Sequence, residues 1–252
     1  MIGVERDGAV AVVTVDRQEA LNALDQPTLD ELRDRLAELA EDAAVRVVVL
    51  TGAGERAFVA GADIKAMSAM DIEQAQAWGQ LGHETASLLE TMPKPTIAAV
   101  NGFALGGGCE LALACDVRYA STVARLGQPE VSIGIIPGWG GTQRLPRVVG
   151  IGRAKELIMT GRLVDADEAF RIGLVNAVFS SEELMEKSLE LARELAAKSP
   201  LVLAAAKQAM NRTLYGDLGA EAEAFAGLFG SEDQREGMSA FIEKREPRFT
   251  GR

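Results

Sequence analysis

Residues 97–141 read IAAVNGFALGGGCELALACDVRYASTVARLGQPEVSIGIIPGWGG, and this stretch decides the fold. It opens inside a β-branched apolar run, 96–100, of the kind that forms a buried strand. The triple glycine Gly106-Gly107-Gly108 then leads into an apolar, helix-prone segment at 110–115, and 116–120 reads as a second strand. Strand, glycine turn, helix and strand in so short a span predict a layered α/β architecture rather than a β-sandwich.

The flanking sequence extends the same pattern. Residues 2–6 and 10–15 alternate around Asp7-Gly8, which predicts a β-hairpin. Leu29, Leu32, Leu36 and Leu39 recur at helical spacing, so 27–42 reads as an amphipathic helix with Pro27 in its first turn. A strand is expected at 45–51, and a long helix at 71–92 that Pro93 and Pro95 close. Past residue 180 the pattern changes to consecutive helices at 182–198, 201–214, 219–229 and 232–245. A core at 1–194 and a helical oligomerisation region at 195–252 are expected, the latter carrying apolar faces that another subunit can cover.

Composition narrows the function. The 252 residues carry 48% hydrophobic and 25% charged residues, ordinary for a globular chain. The net charge of −11 disfavours nucleic acid and anionic membranes as partners. Any anionic ligand then needs a local basic patch. Cys109 and Cys115 lie six residues apart in one apolar stretch and His83 is distant, which fits no metal pattern. No apolar run reaches the length of a membrane span, and the N-terminus has no leader-like pattern. The cytosol is the expected compartment.

Several motifs carry chemistry, each beside a plainer reading. Gly52-Ala53-Gly54-Glu55-Arg56-Ala57 fits a loose dinucleotide pattern, but the residues after it lack helical spacing, so a turn is expected. Ala60-Gly61-Ala62-Asp63-Ile64-Lys65 is either a tight turn before a helix or a segment whose backbone meets a ligand, with Asp63 as N-cap. Gly106–Gly108 opens a helix whose first amides favour negative charge; close helix–strand packing is the alternative. Paired amides at Ala62 and Gly107 would make an oxyanion hole. Glu110 precedes Leu111-Ala112-Leu113-Ala114, and Glu130 is surrounded by Pro129, Val131, Ile133 and Ile135. A carboxylate in such a setting is either a satisfied ion pair or an acid–base group. Gly138-Trp139-Gly140-Gly141 is a glycine-rich loop entering a helix, and His83 reads as structural.

Taken together these residues resemble the crotonase (enoyl-CoA hydratase) superfamily over essentially the whole chain. The matching segments are LNAL at 21–24, VVVLTGAGERAFVAGADIKAM at 47–67, PTIAAVNGFALGGGCELALACDVRYA at 95–120, LGQPEVSIGIIPGWGGTQRLPR at 126–147 and EGMSAFIEKREPRF at 236–249. The resemblance implies a spiral of β-β-α units, a trimer or a hexamer of two trimers, and a coenzyme A thioester substrate with no separate cofactor or metal. It implies catalytic roles for Glu110 and Glu130 and oxyanion-hole amides at Ala62 and Gly107. Substrate contacts are implied at Ala60, Gly61, Asp63, Ile64, Lys65 and Gly138. Basic phosphate contacts are implied at Arg56, Lys65 and Lys244, the last reaching in from a neighbouring subunit; Arg56 replaces an expected lysine.

Both glutamates being present favours reversible syn hydration of a trans-2-enoyl-CoA to a 3-hydroxyacyl-CoA, in fatty-acid β-oxidation or another route. A Δ3,Δ2-enoyl-CoA isomerase or another crotonase-type reaction is the alternative. An RNA-binding role, known in the family with a lysine-rich early helix, is disfavoured. Here that helix carries Asp30, Glu31, Asp34, Glu38, Glu41 and Asp42 against Arg33 and Arg35.

Overall fold

The computed structural model describes residues 1–198, 200–211, 225–245, 247 and 248. Its backbone winds through two sheets. The hairpin β1 (Ile2–Asp7) and β2 (Val10–Val15) is antiparallel, pairing Asp7 with Val10 at its tip. From β2 onward, β3 (Val47–Gly52), β5 (Thr96–Val100), β7 (Val117–Ser121) and β10 (Ala177–Phe179) add in parallel, giving the order β1-β2-β3-β5-β7-β10. A smaller sheet holds β4 (Ala57–Val59), β6 (Phe103–Leu105), β8 (Arg125–Gly127) and β9 (Val164–Asp165).

Successive turns of the spiral place one strand in each sheet and then a helix. β3 and β4 precede α2 (Ile64–Met67) and α3 (Ile72–Thr91); β5 and β6 precede α4 (Gly107–Ala114). β7 and β8 lead through a 3-10 turn, Glu130–Ile133, to α5 (Gly141–Val149) and α6 (Ile151–Thr160), and β9 runs into α7 (Ala166–Arg171). This is the expected β-β-α spiral. The second sheet was not anticipated from the sequence, because its strands are only two or three residues long and too short to show a period.

The corners between sheets are stapled by side-chain amides. Asn101 Nδ2 donates to the carbonyls of Gly52 (2.9 Å) and Gly54 (2.8 Å), and Asn22 Nδ2 to those of Ala53 (3.0 Å) and Ala57 (2.8 Å). The Gly52–Ala57 motif is therefore a turn between β3 and β4. No helix follows it, so the dinucleotide reading lapses as expected.

Strand alternation divides the core. Val48 and Leu50 of β3 face the main core, whereas Val47 and Val49 face a second cluster beneath α8 (Leu184–Ala196) with Leu184 and Ala192. The helix α1 (Gln26–Glu41) buries Leu29, Leu32, Leu36 and Leu39, and Asp25 caps it by accepting from the Thr28 amide. Asp71 and Gln74 form a reciprocal capping box at the start of α3.

The expected domain boundary near 195 falls in the last turn of α8. Beyond it, α9 (Pro200–Asn211) sends Lys207 into the core, where Nζ donates to the carbonyls of Leu89 (2.8 Å) and Lys94 (3.0 Å) and meets Asp116 at 2.8 Å. The final described helix, Glu232–Glu243, is capped by Ser231. The expected helix 219–229, and the end of the one expected at 201–214, lie partly outside the described residues.

Candidate active site

A cavity of about 170 Å³ opens where segment 60–64, the start of α4, the Glu130 turn and the loop before α5 converge. Ala60, Gly61, Ala62, Ile64, Gly107, Glu110, Glu130 and Gly138 all line it. Asp63 does not. It caps α2, accepting from the amides of Lys65 (3.1 Å) and Ala66 (3.4 Å), and lies 3.5 Å from Arg17. Arg56, Lys65 and Lys244 are exposed and stand outside the cavity wall; Lys244 ends the last helix in the left-handed region, at φ 56.

The LNAL segment explains how Ala62 is presented. The Leu24 amide donates to Gly61 O (2.8 Å) and the Asp63 amide to Leu24 O (2.8 Å), a parallel bridge between Leu24 and Ala62. In such a bridge the central residue's own N–H points to the opposite edge. Ala62 lines the cavity from this bridged position.

On the facing side, Gly106 adopts φ 50 and ψ −121, a conformation that L side chains rarely adopt, and its amide donates to Gly127 O at 3.0 Å. α4 begins at the next residue, so the Gly107 amide has no acceptor within the helix. Gly107 also packs flat on Trp139: a Cβ there would fall 2.3 Å from the indole. Close helix–strand packing falls to the third glycine: a Cβ on Gly108 would lie 1.9 Å from the carbonyl oxygen of Val59 in β4.

Glu110 is 1% exposed, yet it is anchored. Its Oε1 accepts from the amides of Trp139 (2.8 Å) and Gly141 (2.7 Å). Two donors on one oxygen fix the plane of the carboxylate and so the direction of the other oxygen. The donating loop is itself pinned. Arg144, 3% exposed, gives Nη1 to Trp139 O (2.7 Å) and Nη2 to Glu90 of α3 (2.7 Å).

Glu130 is 8% exposed and lies against the glycine turn, close enough that a Cβ on Gly106 would sit 2.8 Å from its Oε1. With the Gln128 amide turned so that its nitrogen faces the carboxylate, Gln128 donates to both Glu130 oxygens, at 3.0 and 3.3 Å. Cys109 sits nearby; burial, reinforced by both glutamates, pushes its thiol up to about 12. His83 is held neutral, burial and then the Arg144 charge lowering its pKa to about 4, in keeping with a structural role.

The geometry matches one known family. The profile described as enoyl-CoA hydratase/isomerase matches residues 5–252. The chain belongs to the enoyl-CoA hydratase/isomerase family. It is 52% identical over 245 residues to the short-chain-enoyl-CoA hydratase of Clostridium acetobutylicum, covering 96% of this chain and 94% of that one. It is 47% identical over 249 residues to the crotonyl-CoA hydratase of Syntrophomonas wolfei, covering 97% and 96%. Among solved structures, the enoyl-CoA hydratase of Bacillus anthracis superposes with a TM-score of 0.82 at 43% identity, covering 100% of this chain and 99% of that one. EchA1_1 of Mycobacterium paratuberculosis gives 0.90 at 36%, covering 100% and 98%.

The structure adds residues to this enoyl-CoA hydratase/isomerase site that the sequence reading did not assign. Trp78 and Phe225 complete the cavity wall, while Gln128, Arg144 and Glu90 support the carboxylates. Trp139 stood within a quoted motif; a tryptophan between glycines, which leave room for a large ring, was the available signal. Phe225 carried none, because it reaches the site only through the path of the chain.

Proposed function

We propose that the two glutamates of this cavity hydrate a trans-2-enoyl-CoA to a 3-hydroxyacyl-CoA, reversibly and by syn addition. The observation that carries the reading is the pairing of Glu110, oriented by two amides, with Glu130, oriented by Gln128, across one small apolar cavity. The Ala62 and Gly107 amides would hold the thioester oxygen as enolate character develops. In known oxyanion holes one lost donor costs about 3–4 kcal/mol of transition-state stabilisation.

The roles follow from what each bond requires. Glu110 takes a proton from water as the oxygen bonds to C3. Glu130, carrying a proton, delivers it to C2. The proton gained by one carboxylate equals the proton lost by the other, and exchange with solvent resets the pair. Ala60, Gly61 and Ile64 pack the acyl-thioester end, while Arg56, Lys65 and a partner copy's lysine at position 244 would meet the phosphates of coenzyme A. Those cations answer the net charge of −11 locally. A trimer or a pair of trimers is proposed accordingly. The cytosol is retained as compartment, supported by Cys109 and Cys115 being free thiols. No described helix is long and apolar enough to cross a membrane.

The deciding experiment adds crotonyl-CoA to the purified chain with no cofactor. The absorbance of the conjugated thioester should fall to an equilibrium value, with 3-hydroxybutyryl-CoA appearing in equal amount. An unchanged signal with every enoyl-CoA from four to sixteen carbons would refute the hydratase reading.

A further inference from the structure

Behind the catalytic cavity lies a second, larger recess. It is a groove of about 720 Å³ between the start of α1, the turn after α2, and α3. Met70, Ala77 and Leu81 supply apolar surface to it, and Asp30, Arg33 and Glu84 give it a polar rim. Among the described residues, a single side chain lines both spaces, that of Trp78.

Trp78 is built into the wall. It is 4% exposed, on the buried face of α3, and meets Trp139 edge to face with ring centroids 5.4 Å apart. Trp139 is in turn fixed through its own backbone to Glu110 and Arg144. The position of the Trp78 ring is thus tied to that of the catalytic loop. Its indole Nε1 has no hydrogen-bond partner among the described residues. The ring is held by shape and stacking, so another aromatic there forfeits no hydrogen bond.

The size of the cavity sets what fits in front of this ring. An apolar cavity of about 150 Å³ accommodates benzene, six carbons. A volume near 170 Å³ that must also hold the attacking water leaves room for a short acyl group. The Trp78 ring separates this space from the groove, so a chain extending in that direction would have to pass the indole.

We propose that Trp78 is the partition that sets acyl-chain length, and that removing its ring joins the cavity to the groove and admits longer chains along Met70 and Ala77. This rests on the hydratase reading for its substrate class, but the partition itself can be read by binding alone. Each methylene that gains apolar cover adds roughly a factor of four in affinity. Four methylenes would add on the order of 100-fold, less what the polar rim and chain ordering take away.

The experiment measures kcat/KM for trans-2-enoyl-CoAs of four, six, eight and ten carbons, and in parallel Kd for butyryl-CoA and octanoyl-CoA. The wild-type chain should favour four carbons. Trp78→Ala should raise the eight-to-four-carbon ratio by at least about tenfold in both measurements. Trp78→Leu, which keeps much of the packing, should shift it in the same direction if the alanine variant folds poorly. Trp78→Phe should keep the wild-type ratio. In the opened background, the exposed substitution Ala77→Glu should cancel the gain by placing a charge in the groove. A wild-type enzyme indifferent to chain length, or ratios unchanged in both opened variants, would overturn the partition. A gain that survives Ala77→Glu would overturn the groove as the route. A wild-type chain that binds acyl-CoA with the expected length preference but hydrates none would sink the hydratase reading and leave the partition standing.

Discussion

Gly237 lies more than a hundred residues from Glu130 in sequence, yet replacing it with alanine should damage catalysis. The helix Glu232–Glu243 packs directly on the 3-10 turn that carries Glu130. A Cβ on Gly237 would fall 2.3 Å from the carbonyl carbon of Ile133, 2.5 Å from its oxygen and 2.7 Å from its Cα. All three are backbone atoms, so no side chain can swing aside. Ordinary carbon contact begins near 3.5 Å, so the two backbones must part by about 1 Å. Two effects oppose each other in stability. Alanine in place of glycine favours a helix interior by about 1 kcal/mol, while overpacking costs about 1–3 kcal/mol. The net loss should be about 0–2 kcal/mol, too little to unfold the chain. A shift of about 1 Å at a reacting group can cost on the order of 100-fold in rate. Glu130 begins this turn, three residues before Ile133. Gly237→Ala should therefore lower kcat for crotonyl-CoA by roughly 10- to 100-fold, with KM within about threefold and the thermal midpoint only a few degrees lower. Initial rates read alongside a melting curve provide the assay. A variant with wild-type kcat and an unshifted midpoint would show that the turn yields without moving Glu130, and the reasoning would be wrong.

Glu130→Gln keeps size and hydrogen bonding to Gln128 but removes the transferable proton; kcat should fall by orders of magnitude while Kd for butyryl-CoA stays near wild type. Arg144→Met leaves Glu90 without its guanidinium partner and frees the carbonyl of Trp139, so urea unfolding should show a loss of about 3–5 kcal/mol along with falling activity. His83 has a folded pKa of about 4 against 6.5 for the free group, so the unfolded chain binds the extra proton between those values. Stability should then rise with pH through that window and be fully present above it, by an amount on the order of 3 kcal/mol that a His83→Asn variant lacks. Sedimentation should give a trimer or hexamer, since Leu201, Phe241 and Ile242 of the last helices are exposed apolar side chains; a clean monomer would contradict the proposed assembly.

What the sequence disclosed depended on range. The strand 96–100 and the helix 72–91 were legible because a β-branched run and a capped, proline-terminated segment are local signals. Glu110 and Glu130 stood out because acids among apolar residues are costly without a purpose. The amide pair at Ala62 and Gly107 was suggested by small residues ahead of helix starts, and the family resemblance implied it again. The structure supplies a physical basis for Ala62 in the bridge to Leu24, a pairing across 38 residues that no local pattern encodes. The short second sheet, the Trp78–Trp139 contact and the packing of Gly237 on Ile133 were illegible for the same reason. Each is a contact between distant segments, fixed by how the spiral closes rather than by periodicity.

That distinction bears on how the two carboxylates are held apart in role. Glu110 sits on a helix but takes its orientation from backbone amides 29 and 31 residues away, and those amides are steadied by an ion pair reaching to α3. Glu130 sits on a turn between a side-chain amide and the last helix. The supports do not share a residue and meet where the Gln128 side chain packs against Gly141. A disturbance of the Arg144–Glu90 pair should misorient Glu110 and leave Glu130 in place, whereas a disturbance of the last helix should do the reverse. If so, Arg144→Met and Gly237→Ala should combine nearly additively in the free energy of activation, as independent sites do. Strong coupling in the double variant would mean that the carboxylates are positioned as one unit through the glycine turn they both border.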